Sequence, residues 1–445
     1  MRTVDMTEGS PIKLLIRFSI PIFIGNLFQQ VYTLADRIIV GRFVGDEAFS
    51  AIGSTNALSL MFMSMCMGAA IGTGVVVAQY FGAKDEEGTA SAITNGSYTC
   101  LILTVVMTVL SLVTTKPILL LLNTPESILP DALIYMYVTM GGLIAVSAYF
   151  APFSILRALG DSKTPLIFLI FCSLLNIVLD LLFVVMFDMG VAGAAFATVL
   201  AESIAAVLCI IYAYKKVPQV RQAFALWKPR KRMIMKTLQV GVPTGFQYAL
   251  IYVSSIILQR VVNGFGETVI GAFTATTQIE LLVQQVFAAL GTAIVTYTGQ
   301  NMGAGKHDRI SQGVVAAMKI SAIVSVALVV LFWIFGHPIM SIFVTNEEII
   351  SIAATGIRIT SLFLITLGGV QILRYMLNGA GDSMYALLNG VVEVVARVAF
   401  AVGLTAIPMI GMWGIWLTTG LTWAVTAGFA LLRYRHGMWK SKTLV

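Results

Sequence analysis

Five carboxylates of this chain lie inside long apolar runs: Asp36, Asp180, Glu202, Glu280 and Glu393. An ionisable side chain in hydrocarbon costs at least about 3 kcal/mol, so each is a candidate for function. Asn176 stands four residues before Asp180 and shares its helix face. Thr198 stands one turn before Glu202. Two carboxylates, an amide and a hydroxyl make an oxygen-rich set of the kind a hard cation prefers. The set Asp36, Asn176, Asp180 and Thr198 is therefore the expected site for a coupling ion. Na⁺ would be held by these oxygens with backbone or water completing the shell. A proton would serve as well, because two close carboxylates in a low dielectric cannot both stay ionised. The plainer reading pairs Asp36 with its neighbour Arg37 and leaves the other three as hydrogen-bonding glue between helices.

The elements that must position these groups follow from composition. The chain has 445 residues, 58% of them hydrophobic and only 11% charged, with a mean hydropathy of +0.90. Soluble domains carry about 25% charged residues, so a water-facing surface is excluded. The apolar runs are about 20 residues long, the length of a spanning helix. Outer-membrane barrels show shorter, alternating segments instead. The sequence predicts an all-α polytopic membrane protein with twelve transmembrane helices. The first six fall near 14–40, 50–80, 91–114, 131–153, 164–187 and 191–214. The second six fall near 237–261, 271–299, 312–335, 351–375, 384–405 and 411–434.

Two six-helix bundles result, residues 1–214 and 237–445, joined by a basic linker over 215–236. That linker belongs in the cytoplasm, and an even helix count places both termini there. Most other Lys and Arg residues fall on the same side, Arg374 among them. The outer side keeps Arg37, Arg42, Lys116 and Arg260. The basic charge is thus explained by topology, and nucleic acid is not an expected partner. The four cysteines show no metal-ligand spacing and read as buried thiols.

The halves repeat each other at an offset of 221 residues. Gly45 meets Gly266, Gln79 and Gly82 meet Gln300 and Gly303, and Gly160-Asp161-Ser162 meets Gly381-Asp382-Ser383. Each repeat has an even number of spans, so the repeats are parallel, about an axis along the membrane normal. Such paired bundles suit alternating access. The acidic residues break the repeat: Asp36 becomes Ile257, Asn176 becomes Arg397 and Asp180 becomes Ala401. Groups needed only for packing should recur in both halves. Thr198 does recur, as Thr419.

In the second half Glu393 precedes Arg397 by four residues, the spacing of a structural ion pair. Glu280 has no basic residue within a turn, and Gln284 shares its face. These two, with Tyr32 and Met63, are the expected lining of a substrate cavity. Met63 sits among Met61, Met65 and Met67, and flexible thioethers suit a surface that accepts many shapes. Pro21 lies inside the first span, where it removes a backbone hydrogen bond and favours a kink. No nucleotide-binding loop and no nucleophile–base pair is present in the sequence, so neither ATP-driven transport nor an enzyme is expected.

Several stretches together resemble the MATE family (multidrug and toxic compound extrusion). They are PIFIGNLFQQVYTLADRIIVGRFVG from Pro21 to Gly45, Gln79–Ala83 with Gln300–Ala304, and ILRALGDSKTP from Ile155 to Pro165. NIVLDLLF from Asn176 to Phe183 and GVAGAAFAT from Gly190 to Thr198 continue the match. The resemblance implies a monomeric Na⁺- or H⁺-coupled antiporter of a bacterial inner membrane, exporting cationic amphipathic molecules without a further cofactor. It also implies a cation site at Asp36, Asn176, Asp180 and Thr198. The seventh span lacks the carboxylate of NorM-like members, so the chain looks closer to DinF-like ones. An alternative of similar architecture is a lipid-linked oligosaccharide flippase. Its anionic cargo would need many basic residues in the membrane, and here there are only Lys319, Arg358 and Arg397.

Overall fold

A computed structural model of the protein describes residues 4–122 and 124–445. The N-terminal lobe begins with three long helices, α1 (Pro11–Phe43), α2 (Asp46–Gly82) and α3 (Glu86–Leu121). A bent pair follows, α4 (Leu129–Gly141) and α5 (Leu143–Ala158), meeting at 46°. Then come α6 (Lys163–Asp180) and α7 (Gly190–Lys216). A short helix, α8 (Pro218–Ala225), leads to the C-terminal lobe. That lobe comprises α9 (Lys231–Val262), α10 (Glu267–Gly303) and α11 (His307–Met340), then a second bent pair. The pair is α12 (Glu347–Ser361) and α13 (Leu364–Ala380), meeting at 52°, and α14 (Ser383–Thr405) and α15 (Gly414–His436) close the chain. Counting each bent pair as one span gives twelve.

The sequence reading drew spans four and ten as single helices, and the structure breaks both. The breaks are repeat-related, since Gly142 lies 221 residues before Phe363. Backbone geometry follows the same offset. Gly45 and Gly266, Gly160 and Gly381, and Gly190 and Gly411 all have positive φ, and Lys84 (φ 58°) matches Gly305 (φ 67°). The repeated glycines mark turns that an L side chain enters only under strain.

The lobes meet along α2 and α9, each of which carries a Gly-x-x-x-Gly motif. Gly68 and Gly72 face Gly241 and Gly245 so closely that a Cβ at Gly72 would stand 2.7 Å from the Gly241 amide and the Thr237 carbonyl. Small residues allow such backbone approach where no hydrophobic effect drives helices together. The α8 segment is tied to α3. Thr94 donates to the Ala223 carbonyl at 2.7 Å, Tyr98 to the Trp227 carbonyl at 3.1 Å, and the Arg230 amide to Asn95 Oδ1 at 2.6 Å.

One face of the molecule gathers both described chain ends, and there the lobes are locked together. Gln79 Nε2 donates to the Gly379 carbonyl at 3.0 Å, and Gln300 Nε2 to the Ala158 carbonyl at 2.9 Å. These bonds are repeat-related, each reaching from one lobe to the other. Each glutamine oxygen then accepts from a terminal segment. Met6 N donates to Gln300 at 2.8 Å, and Leu444 N donates to Gln79 at 2.7 Å. Beneath them α2 crosses α10, where a Cβ at Gly82 would collide with the Gln300 carbonyl and one at Gly303 with the Gln79 carbonyl. Among the described residues, all side-chain hydrogen bonds between the lobes lie on this face. The four cysteines are buried free thiols.

Candidate cation site in the N-terminal lobe

Helices α1, α6 and α7 pack together and bring the predicted residues to one place. Asp36 comes from the last third of α1, Asn176 and Asp180 from the end of α6, and Thr198 and Glu202 from α7. Asn176 Nδ2 donates to Thr198 Oγ1 at 3.3 Å, and Thr198 donates to the Ala194 carbonyl at 3.2 Å. The amide is thus oriented with its oxygen free. Asp180 is fully buried, and Asp36 lies within reach of its charge.

The decisive feature is what these oxygens lack. Asp36 Oδ1, Asn176 Oδ1 and both carboxylate oxygens of Asp180 are buried without any hydrogen-bond donor. Glu202 Oε2 is another such atom, one turn further along α7. Among the described residues Asp36 forms no ion pair, with Arg37 or any other base. A buried acceptor left unsatisfied costs about 1–3 kcal/mol, and more when charged. A cluster of four is a strong demand for positive charge at this point.

Directly after Asp180 the helix widens into a π-helical turn, Leu181–Met186. Such turns interrupt the regular backbone ladder and recur at functional sites. Nothing in the apolar sequence LLFVVM announces it. The counterpart helix α14 ends as an ordinary α-helix at Thr405.

In the C-terminal lobe the equivalent positions carry opposite chemistry. Arg397, at the place of Asn176, pairs with Glu393 at 3.0 Å. Arg374 pairs with the other Glu393 oxygen and with Asn389 Oδ1 at 3.1 Å. The Glu393–Arg397 pair follows the i, i+4 reading. Arg374 corrects the sequence reading, which grouped it with the charged residues of the linker face. It is 3% exposed, inside α13, because Glu393 of α14 draws it inward. Its partner is remote in sequence, so spacing alone could not find it. This lobe meets its buried acid with its own guanidinium groups, and the N-terminal lobe does not.

Glu280 on α10 is 9% exposed and faces Thr360 of α12 and Arg397 of α14. Gln284, one turn on, is half-buried. Tyr32 is half-buried on α1 near Glu202, one turn before Asp36. Met63 packs on the apolar cluster of Phe62, Met136, Met140 and Leu143. Tyr32 thus adjoins the cation site, while Glu280 and Gln284 belong to the other lobe.

Helix α1 spans the two lobes. Leu15, Phe18 and Ile22 are buried in one cluster with Ala289, Ile294 and Tyr297 of α10. Ile39 and Val40 are buried instead with Val184, Val191 and Ala194 of the N-terminal lobe. Pro21 lies within the first of these segments, between Phe18 and Ile22, in a helix that runs unbroken from Pro11 to Phe43. It leaves one turn of α1 without its backbone hydrogen bond.

Two repeated six-helix lobes, locked on one face and carrying an unpartnered acidic cluster, define a polytopic membrane protein of transporter architecture. The chain belongs to the MatE family, whose model matches residues 21–182 and 243–402, one stretch in each lobe. It is 30% identical over 447 residues to the probable multidrug resistance protein YpnP of Bacillus subtilis, covering 100% of this chain and 99% of that protein. It is 26% identical over 423 residues to the multidrug export protein MepA of Staphylococcus saprophyticus, covering 94% and 91%. A solved structure described as the outward-facing conformation of a multidrug resistance MATE family transporter superposes with a TM-score of 0.92. That match has 24% identity and covers 99% of both chains.

Proposed function

We propose that the protein is a cation-coupled exporter of cationic amphipathic molecules, working by alternating access, with Na⁺ or H⁺ bound at Asp36, Asn176, Asp180 and Thr198. The observation that carries this reading is the group of four buried, donor-less oxygens in the N-terminal lobe. A bound Na⁺ would take these oxygens as ligands, and a proton would be shared between the carboxylates. Multidrug relatives of nearly full length support the cargo class. The face with both chain ends is assigned to the cytoplasm. Lys84, Lys163, Lys215, Lys231, Lys306 and Arg435 flank helix ends on that side. With this face locked, the arrangement is outward-facing.

Helix α1 provides the link between ion and cargo. It carries Asp36 in one lobe and packs its first half on the other, with Pro21 as a compliant turn inside that first half. Neutralising Asp36 removes the reason to keep its end near polar groups, and the helix can shift about Pro21. The test is export of a cationic dye from cells producing Asp36→Asn or Asp180→Asn at normal levels. Loss of export in both supports the site, and full export in both removes it.

A further inference from the structure

The C-terminal lobe has an open groove of about 400 Å³ between α11, α13 and α15, on the half of the molecule that holds the chain ends. Its apolar walls are Val314, Met318, Ala322, Leu373, Leu431 and Tyr434. A single charged residue joins them, Lys319. This lysine lies in the outward stripe of α11, between Val315 and Ile323 and in line with Val326 and Val330, all exposed apolar residues. That stripe faces lipid. Among the described residues no carboxylate pairs with Lys319.

Depth along the helix is informative. Lys319 stands about 18 Å from the start of α11, at 1.5 Å per residue. The 34-residue helix is about 51 Å long, against roughly 30 Å of hydrocarbon. A centred helix therefore puts the Cα of Lys319 several Å inside the boundary, within snorkelling reach of the headgroup level. Its ammonium meets the phosphate layer while its stem lies along the groove.

The other lobe supplies an internal comparison. A groove of about 260 Å³ there includes Ile93, Ser97 and Leu101, the repeat partners of Val314, Met318 and Ala322. The position of Lys319 is taken by Tyr98, whose hydroxyl bonds the Trp227 carbonyl of the linker. Val220 and Phe224 of α8 line that groove too. In the N-terminal lobe the linker segment of the protein's own chain closes over this groove, whereas the lining of the C-terminal groove comes from α11, α13 and α15 alone.

We propose that the groove between α11, α13 and α15 binds one anionic phospholipid of the leaflet on the chain-end side, its acyl chain along the apolar walls and its phosphate on Lys319. Nearby charge favours this occupant: Arg435 in the last turn of α15 and Lys440 just beyond it lie on the same side and add to the attraction for anionic headgroups.

The test is native mass spectrometry of the full-length protein titrated with phosphatidylglycerol or phosphatidylcholine. The wild type should retain one phosphatidylglycerol about fivefold better than Lys319→Gln, the effect of one basic group near a lipid surface. Phosphatidylcholine should be retained equally by both, which also checks that the variant is folded. Lys319→Arg should restore the preference. Ala322→Trp, which fills the groove and keeps the charge, should lower retention of both lipids. Equal phosphatidylglycerol retention by wild type and Lys319→Gln would overturn the proposal. Displacement of the lipid by millimolar glycerol phosphate would overturn it too, by making the site one for free phosphate.

Discussion

Replacing Asp180 by Asn keeps the shape of the site and removes its most buried charge. In the ion-free protein Asp180 has two buried oxygens with no donor, at about 1–3 kcal/mol each. The amide brings its own donors for Asp36 Oδ1 or Asn176 Oδ1, so Asp180→Asn should fold normally and melt no lower than wild type. What it should lose is the response to the coupling ion. At an effective dielectric of about 20, a cation about 4 Å from a carboxylate gains about 4 kcal/mol. Losing one of two carboxylates therefore weakens binding by roughly a thousandfold before desolvation is repaid. A ligand at about 100 times its Kd stabilises the folded state by about 2.7 kcal/mol. The assay is thermal melting of detergent-purified protein, followed by tryptophan fluorescence, across a Na⁺ series at fixed ionic strength and across a pH series. Wild type should rise in Tm with one of the two ions, and Asp180→Asn with neither. An ion-dependent rise of equal size in the variant would refute the assignment.

Other expectations follow from the same geometry. Glu393→Gln should cost about 3–5 kcal/mol, because it leaves Arg374 buried without a counter-charge and Arg397 with Glu280 alone. It should appear as loss of the monodisperse peak in size-exclusion chromatography, unlike Asp36→Asn. Gly82→Leu should prevent closure of the chain-end face, since even a Cβ there meets the Gln300 carbonyl. Spin labels across that face should report a longer distance, and dye export should stop at normal expression. Glu280→Gln should weaken export of cationic dyes more than of neutral ones. An equal effect on both would leave Glu280 as a partner of Arg397 and Thr360 only.

The helices and the repeat were legible because hydrocarbon imposes length and composition on every span. The acidic residues stood out for the same reason. Comparison of the halves then separated Asp36, Asn176 and Asp180 from the scaffold, and the structure brings these three together with Thr198. Three features were hidden. The bends near Gly142 and Phe363 leave no proline at the break, and the π-helical turn after Asp180 lies in uniform apolar sequence. Arg374 looked like an interfacial charge because its partner is on another helix. The paired Gly-x-x-x-Gly motifs of α2 and α9 were visible in the sequence, but nothing there said which helix each would face. The lock on the chain-end face needed coordinates for another reason. Gln79 and Gln300 recur at the repeat offset, yet their partners are carbonyls and terminal amides, which carry no sequence signal.

The central claim is that cation binding in the N-terminal lobe drives export. Its most direct test is movement of a cationic dye in vesicles holding the purified protein, with a Na⁺ or proton gradient imposed in turn. One gradient should drive dye against its own concentration difference, and Asp36→Asn and Asp180→Asn should abolish that movement. Gradient-driven transport that persists in both variants, or dye movement indifferent to either gradient in the wild type, would contradict the account.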